Sequence, residues 1–221
     1  MNTQINVNQP FIQPSQSKGC KAAGPISQFA CPTGTLGRLV GRIMAIKNAR
    51  MNEFAVETLD VKPDDQALEI GFGHGRTIRM IAERAKAGFV AGVDLSEVMA
   101  HQAAKYNLDL IVSGRVELCQ GTVAHLPYEY GRFTKVLAVN NYQFWPNAEI
   151  NLVEIQRVMR DGGLLVLCLR MHSSNRFALA PGFTEDEVAD VAGLVRWVGF
   201  RDIRIVKRNV GRDVTCVVAR R

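Results

Sequence analysis

Glu69, Gly71, Gly73, Gly75 and Asp94 are the residues of this 221-residue chain whose types and spacing could do chemistry. The first four lie in ALEIGFGHGRT, Ala67 to Thr77, and Asp94 follows nineteen residues after Gly75. A β-prone run, alternating glycines and then a helical pattern read as strand, turn and helix. With no Cβ in the way, the backbone of such a turn can lie close to a ligand. Asp94 ends the next expected strand, Val90 to Asp94, where an α/β fold places a carboxylate to grip ribose hydroxyls. A dinucleotide loop, G-x-G-x-x-G, would need a third glycine at position 76, which is Arg76. There is no G-x-x-x-x-G-K-[ST] for a triphosphate. Glu69, two residues before the first glycine, is badly placed for a pyrophosphate and well placed for an ammonium group. The expected ligand therefore carries a ribose and a positive amino group but no phosphate.

S-adenosylmethionine fits that description. ALEIGFGHG resembles the first motif of the class I S-adenosylmethionine-dependent methyltransferases, and AGVDLSEVM (91–99) resembles their second. The similarity continues through CQGTVAHLPY (119–128), KVLAVNNYQFWPN (135–147) and EIQRVMRDGGLLVL (154–167). It implies that Glu69 helps to hold the methionine end, directly or through water, with Gly71, Gly73 and Gly75 along the cofactor. Asp94 would accept from both ribose hydroxyls, and Leu95 would pack on the adenine. Gly121, Thr122 and Val123 would flank the base, and Asn140 completes the expected cofactor set. Thr122 stands where the family often has an Asp for the adenine amino group, and a hydroxyl accepts more weakly than a carboxylate. His74 stands either against the cofactor carboxylate or in solvent.

Two periodicities, 3.6 and 2, place these residues on elements. Helical spacing runs over 36–59, as one helix or as two with a break near Asn48. A first strand is expected to run into Glu69-Ile70 after a turn at Pro63-Asp64-Asp65, and further strands at 89–94, 115–119, 134–140 and 164–170. Helices are expected at 75–86, from Ser96, at 147–160 ending on Asp161-Gly162-Gly163, and at 184–198 with Thr184 as N-cap. Leu164 to Leu169 is continuously apolar, which suits a strand covered on both faces. Two last strands, about 201–207 and 212–219, follow each other directly. The expected fold is α/β: a Rossmann-like, seven-stranded, mostly parallel sheet with helices on both faces and a C-terminal antiparallel hairpin. Gly71, Asp94, Gln120 and Asn140 then share the carboxyl ends of the strands, where such sheets bind ligands.

The acceptor side is less readable. Asn140 to Pro146 (NNYQFWP) is neither the Pro-Pro-Tyr type of motif associated with amino methylation of DNA bases nor a Pro-Cys nucleophile. Tyr142 and His172 are the candidate catalytic residues: Tyr142 in an aromatic pocket with Phe144 and Trp145, His172 as a general base beside Arg170. No metal is expected, because the acceptor loop offers amides but no carboxylate cluster. Cys20 and Cys31 keep open a metalloid acceptor.

Apolar content of 47% and charged content of 22% are ordinary for a soluble globular domain. No apolar run is long enough to span a membrane. The polar start, MNTQINVNQPFIQPSQSKG, does not read as a secretory signal, and 1–35 is expected to be a disordered tail before a methyltransferase domain over 36–221, with 36–59 as a helical lid. Five cysteines with no required pairing suit a reducing cytoplasm. From Arg196 onward eight basic residues face two acids, which accounts for the whole net charge of +6. An exposed charged hairpin is the plainer reading of that excess, and an anion-attracting face is the other. The expected activity is methyl transfer to a small-molecule acceptor, closest to the quinone-biosynthesis methyltransferases. The rivals are a nucleic-acid methyltransferase using the basic hairpin and a non-catalytic S-adenosylmethionine-binding protein.

Overall fold

The strands order themselves β3-β2-β1-β4-β5-β7-β6 in a single seven-stranded sheet. The structure is a computed structural model and describes residues 48–172 and 182–221. The expected tail over 1–35 and the first part of the expected lid, with Cys20 and Cys31, lie outside the described residues. A helical segment over 48–59, α1, precedes β1 (Gln66–Ile70). Then come α2 (Arg76–Ala82), β2 (Phe89–Asp94), α3 (Glu97–Tyr106), a short α4 (Leu108–Val112) and β3 (Val116–Gln120). They are followed by β4 (Phe133–Val139), α5 (Ala148–Val158), β5 (Met159–Arg170), α6 (Glu185–Trp197), β6 (Arg201–Asn209) and β7 (Asp213–Arg220). Strands β1 to β5 pair in parallel, and β7 pairs antiparallel with both β5 and β6. The expected fold is the observed one.

Period-2 alternation divides the core between the two faces of the sheet. Along β5, Leu164, Val166 and Cys168 face the layer of α1 to α4, whereas Leu165, Leu167 and Leu169 face α5 and α6. Helix α1 buries Met51, Phe54, Ala55, Val56 and Leu59 in the first layer. The same alternation assigns Glu69 its side: Ala67 belongs to the α1–α4 layer, so Glu69, two residues on, points under α1 and α2.

The helix before β5 ends earlier than the Gly-Gly pair suggests. Met159 already pairs with Phe133, and the register shifts before Lys135 pairs with Leu164. Gly162 and Gly163 form a bulge there, held by Gly162 N–H to Arg221 O (3.1 Å) and Arg221 N–H to Gly163 O (3.0 Å), rather than a helix cap. Helix α6 starts as expected on Thr184, with a reciprocal capping box to Glu187. Thr184→Ala is expected to lower stability by about 1 kcal/mol in denaturant melts. Among the described residues no helix is long and apolar enough to cross a membrane.

Candidate active site

The turn after β1 makes a concave floor because its glycines adopt backbone angles that a side chain resists. Gly71 (φ 68°) and Gly73 (φ 55°) both lie in the left-handed region. They do different work. A Cβ on Gly71 would overlap the side chain of Asn141, whose amide N–H donates to Ile70 O. A Cβ on Gly73 would meet no atom of the other described residues within 4 Å, and Gly73 lines the cavity. Gly71→Ala is therefore expected to lower the melting temperature, at a cost of about 2 kcal/mol or more. Gly73→Ala is expected to fold with about 1 kcal/mol of strain yet lose cofactor affinity by calorimetry. Equal melting losses in the two variants would contradict this division. Gly75 is absent from the cavity wall. It packs on the buried Asn107, whose amide donates to Gly75 O (3.0 Å) and Ala103 O (2.9 Å), so it joins the turn to α3.

Asp94 is tied to the same turn. One carboxylate oxygen accepts from Gly73 N–H and the other from Ser96 N–H, each at 2.8 Å. A carboxylate has about four acceptor positions, so two remain for hydroxyls in the cavity. Burial raises the Asp94 pKa to about 6, against the lowering effect of the Ser96 and Gly73 N–H groups. Glu69 is 2% exposed, and one of its oxygens, Oε2, has no hydrogen-bond partner. Burial and the nearby Asp94 raise its pKa to about 8, while a hydrogen bond from Thr77 opposes the shift. A buried acid with an orphaned oxygen at one end, a free acceptor pair at the other and a glycine floor between them fit S-adenosylmethionine. Its amino group, ribose hydroxyls and sulfonium arm match those three features.

The cavity these groups share measures about 350 Å³. It is lined by the expected Glu69, Gly71, Gly73, Asp94 and Leu95, and also by Gly121, Thr122, Val123 and Asn140. Leu95 is 38% exposed, leaving an apolar surface free for a ring. His74 lines it too. Its ring stacks on Tyr106 at 6.4 Å, and burial together with Arg76 lowers its pKa. Asn140 takes a positive φ of 53°, and its carbonyl oxygen accepts from the Gln143 amide at 3.0 Å.

The two expected catalytic residues are not brought to this cavity. Tyr142 sits in a 3₁₀ turn, Tyr142–Phe144, and its ring packs on Trp145 (5.0 Å) and Phe183 (6.0 Å). Burial raises its pKa. His172 is exposed and lies in a second depression of about 410 Å³, with Phe183, Glu185, Lys207 and Thr215. Its backbone N–H donates to Phe183 O at 2.8 Å, which carries the chain toward α6 instead of the donor. Phe144 and Trp145 do line the cavity.

Sequence reasoning missed Asn48, Asn52, Thr77 and Asn151, all of which line the cavity. Asn48 and Asn52 stand one helical turn apart on α1, and Asn52 is 8% exposed. Asn151 is 1% exposed on the face of α5 that also buries Leu152, Ile155 and Val158. An amide at a core-facing helical position is the signal that would have found them, because buried polar groups demand partners. Among the described residues no cluster of three or more metal-ligating side chains exists.

The basic C-terminal hairpin stands at the other edge of the sheet. Donor-site residues follow β3, β2, β1 and β4, whereas β6 is the opposite edge strand. Lys207 pairs with Glu185 and Arg208 with Glu57, both at 2.5 Å, and Arg221 with Asp161 at 3.5 Å.

Known proteins agree with this geometry. The family described as "Methyltransferase domain" matches residues 67–163, from β1 into the start of β5. The uncharacterized methyltransferase YdaC of Bacillus subtilis is 27% identical over 83% of this chain and 98% of its own. The demethylmenaquinone methyltransferase of Bacillus mycoides is 30% identical over 57% of this chain and 52% of its own. A solved S-adenosylmethionine-dependent methyltransferase from Aquifex aeolicus shares the fold, with a TM-score of 0.65 at 19% identity, covering 78% of this chain and 91% of that one. The glycine turn, Asp94 and the buried acid with its unmatched oxygen thus lie within a stretch that matches a methyltransferase domain, and the chain is an S-adenosylmethionine-dependent methyltransferase.

Proposed function

We propose that the acceptor of this methyltransferase is a small molecule, seated against Asn140, Asn141, Phe144, Trp145 and Pro146 at the end of the donor cavity. The carrying observation is the lining: amides and aromatic rings border this end of the cavity, and no Lys or Arg is among its described lining residues. A wall of amides and aromatics suits a small, largely apolar ligand with a few polar groups. Similarity to the demethylmenaquinone enzyme supports the same direction.

When bound, S-adenosylmethionine supplies a methyl carbon activated by positive sulfur. Glu69 and Asp94 hold the two ends of the donor, and the Gly71–Gly73 backbone sets its depth. Asn48 and Asn52 of α1 roof the cavity, which supports a covering role for this part of the expected lid. Trp145 and Phe144 shut out water and aim the acceptor along the line of displacement. Proximity and alignment then supply most of the rate. His172 and Tyr142 touch neither end of the donor cavity, so the reading assigns the acceptor's proton to neither. The free, buried Cys119, Cys168 and Cys216 support a reducing, cytoplasmic setting.

Methyl-labelled donor offered to separate panels of quinols, phenols, amines and carboxylic acids, and to RNA, tests the proposal. Label entering a small-molecule panel is the expected result. Label entering RNA, with binding that falls steeply as salt rises, would make the basic hairpin a substrate surface instead. Saturable donor binding with no turnover on any panel would mark a binding protein.

A further inference from the structure

Asn151 is a costly residue that donor binding and folding leave unexplained. It is 1% exposed, its side-chain Nδ2 has no hydrogen-bond partner, and it borders the donor cavity. Its companions on the buried face of α5 are all apolar. An unmatched buried N–H is a standing cost to the fold. It is removed when a ligand brings an acceptor.

Its neighbourhood says which part of a ligand arrives there. Helix α5 is fastened to the segment after β3. The Leu126 N–H donates to Glu154 Oε1 at 2.7 Å, and Arg157 donates to Tyr128 O at 2.8 Å and Leu126 O at 3.1 Å. Asn151, one turn before Glu154, thus stands at the wall that Val123 and Ala124 also form. With Asp94 on the ribose, the order β3-β2-β1 sends the base toward β3 and the amino-acid end toward Glu69 on β1. Leu95, Met99 and Val123 offer apolar faces for a planar ring. At position 122, where a carboxylate would accept from an exocyclic amine, this chain has Thr122, whose backbone is engaged in a bridge with His125.

We infer that Asn151 donates its side-chain N–H to a ring nitrogen of the donor's adenine, so that base recognition in this chain comes from α5 rather than from the loop after β3. The inference rests on the donor-site reading. An amide N–H and a carboxylate ask opposite things of the base. The amide needs a ring acceptor, whereas the carboxylate needs the exocyclic amine.

The test is calorimetric binding of S-adenosylhomocysteine and its 1-deaza, 3-deaza and 7-deaza analogues to the full chain and to Asn151→Leu. The wild type should bind one deaza analogue about tenfold more weakly than the parent, the worth of one hydrogen bond. Asn151→Leu should bind the parent about tenfold more weakly and show no further loss with that analogue. Discrimination among the analogues that survives unchanged in the variant overturns the inference, as does a wild type indifferent to all three. Should Asn151→Leu fail to fold, Asn151→Ala, which removes the amide without adding bulk, replaces it with the same expected outcomes. A wild type that does not bind the parent at all would instead refute the donor-site reading, and this inference with it.

Discussion

Asp94→Ala is expected to weaken S-adenosylhomocysteine binding about a hundredfold or more. The carboxylate has two positions free for the ribose hydroxyls, and hydrogen bonds to a charged acceptor are worth about 1.5–3 kcal/mol each. Two of them correspond to roughly two to four powers of ten in affinity. The substitution also frees the N–H groups of Gly73 and Ser96, both held at 2.8 Å, so the glycine turn loses its anchor to β2. Asp94→Asn keeps the shape and one acceptor oxygen and should fall between the two. Because the Asp94 pKa is raised to about 6, affinity should also decline as pH drops through that value. Calorimetry on a variant that melts cooperatively decides the matter, and near-wild-type affinity would count against the whole donor site.

Glu69→Gln should separate binding from stability. With a pKa raised to about 8, Glu69 is mostly protonated in the ligand-free protein at pH 7, and a cationic amino group selects its ionised form. Affinity for the demethylated cofactor should then rise about tenfold per pH unit from pH 6 toward 8, with close to one proton released on binding. Above about pH 8 an amino group starts to lose its own proton, and the rise should flatten. The sign for folding is opposite. An acid whose pKa is higher folded than unfolded binds more protons in the folded state between its ordinary value of 4.5 and about 8, so stability falls as pH rises across that window. Glu69→Gln removes this cost. The ligand-free variant should melt higher than wild type at pH 8, by an amount bounded at roughly 5 kcal/mol, while binding cofactor poorly and without the Glu69-linked pH slope. Flat affinity between pH 6 and 8, with enthalpies independent of buffer, would remove the proposed proton linkage.

The donor half of the site was legible because its determinants are local. Gly71 and Gly73 follow β1 directly, Asp94 ends β2, and a strand's carboxyl end in a parallel sheet is a place that alternating strands and helices already specify. The two covered faces of the sheet were legible for the same reason, from the continuous apolar run Leu164 to Leu169 in β5 and the helical spacing of α1. Even there, the sequence grouped three glycines as equals. The structure gives Gly71 to Asn141, Gly73 to the cavity and Gly75 to Asn107, because only packing decides which missing Cβ is replaced by protein and which by space.

The acceptor half was not legible, since its residues meet only through the sheet order. His172 follows β5 and so belongs by sequence with the other strand-end residues. Yet β5 lies between β4 and the hairpin strand β7, and a bond to Phe183 carries the chain toward α6. The donor cavity has such residues too: Asn52 and Asn151 come from helices on opposite faces of the sheet, one before β1 and one after β4, and no motif links them. By itself the sequence determined the fold, the donor and the strand-end placement of Glu69 and Asp94, because hydrophobic period, turn chemistry and strand-end position act within a few residues. Only the tertiary structure decided that Glu69 lies buried with an oxygen unmatched, that Asn151 is buried beside the cavity with its Nδ2 unmatched and that His172 stands apart, because burial and convergence depend on which distant segments pack together.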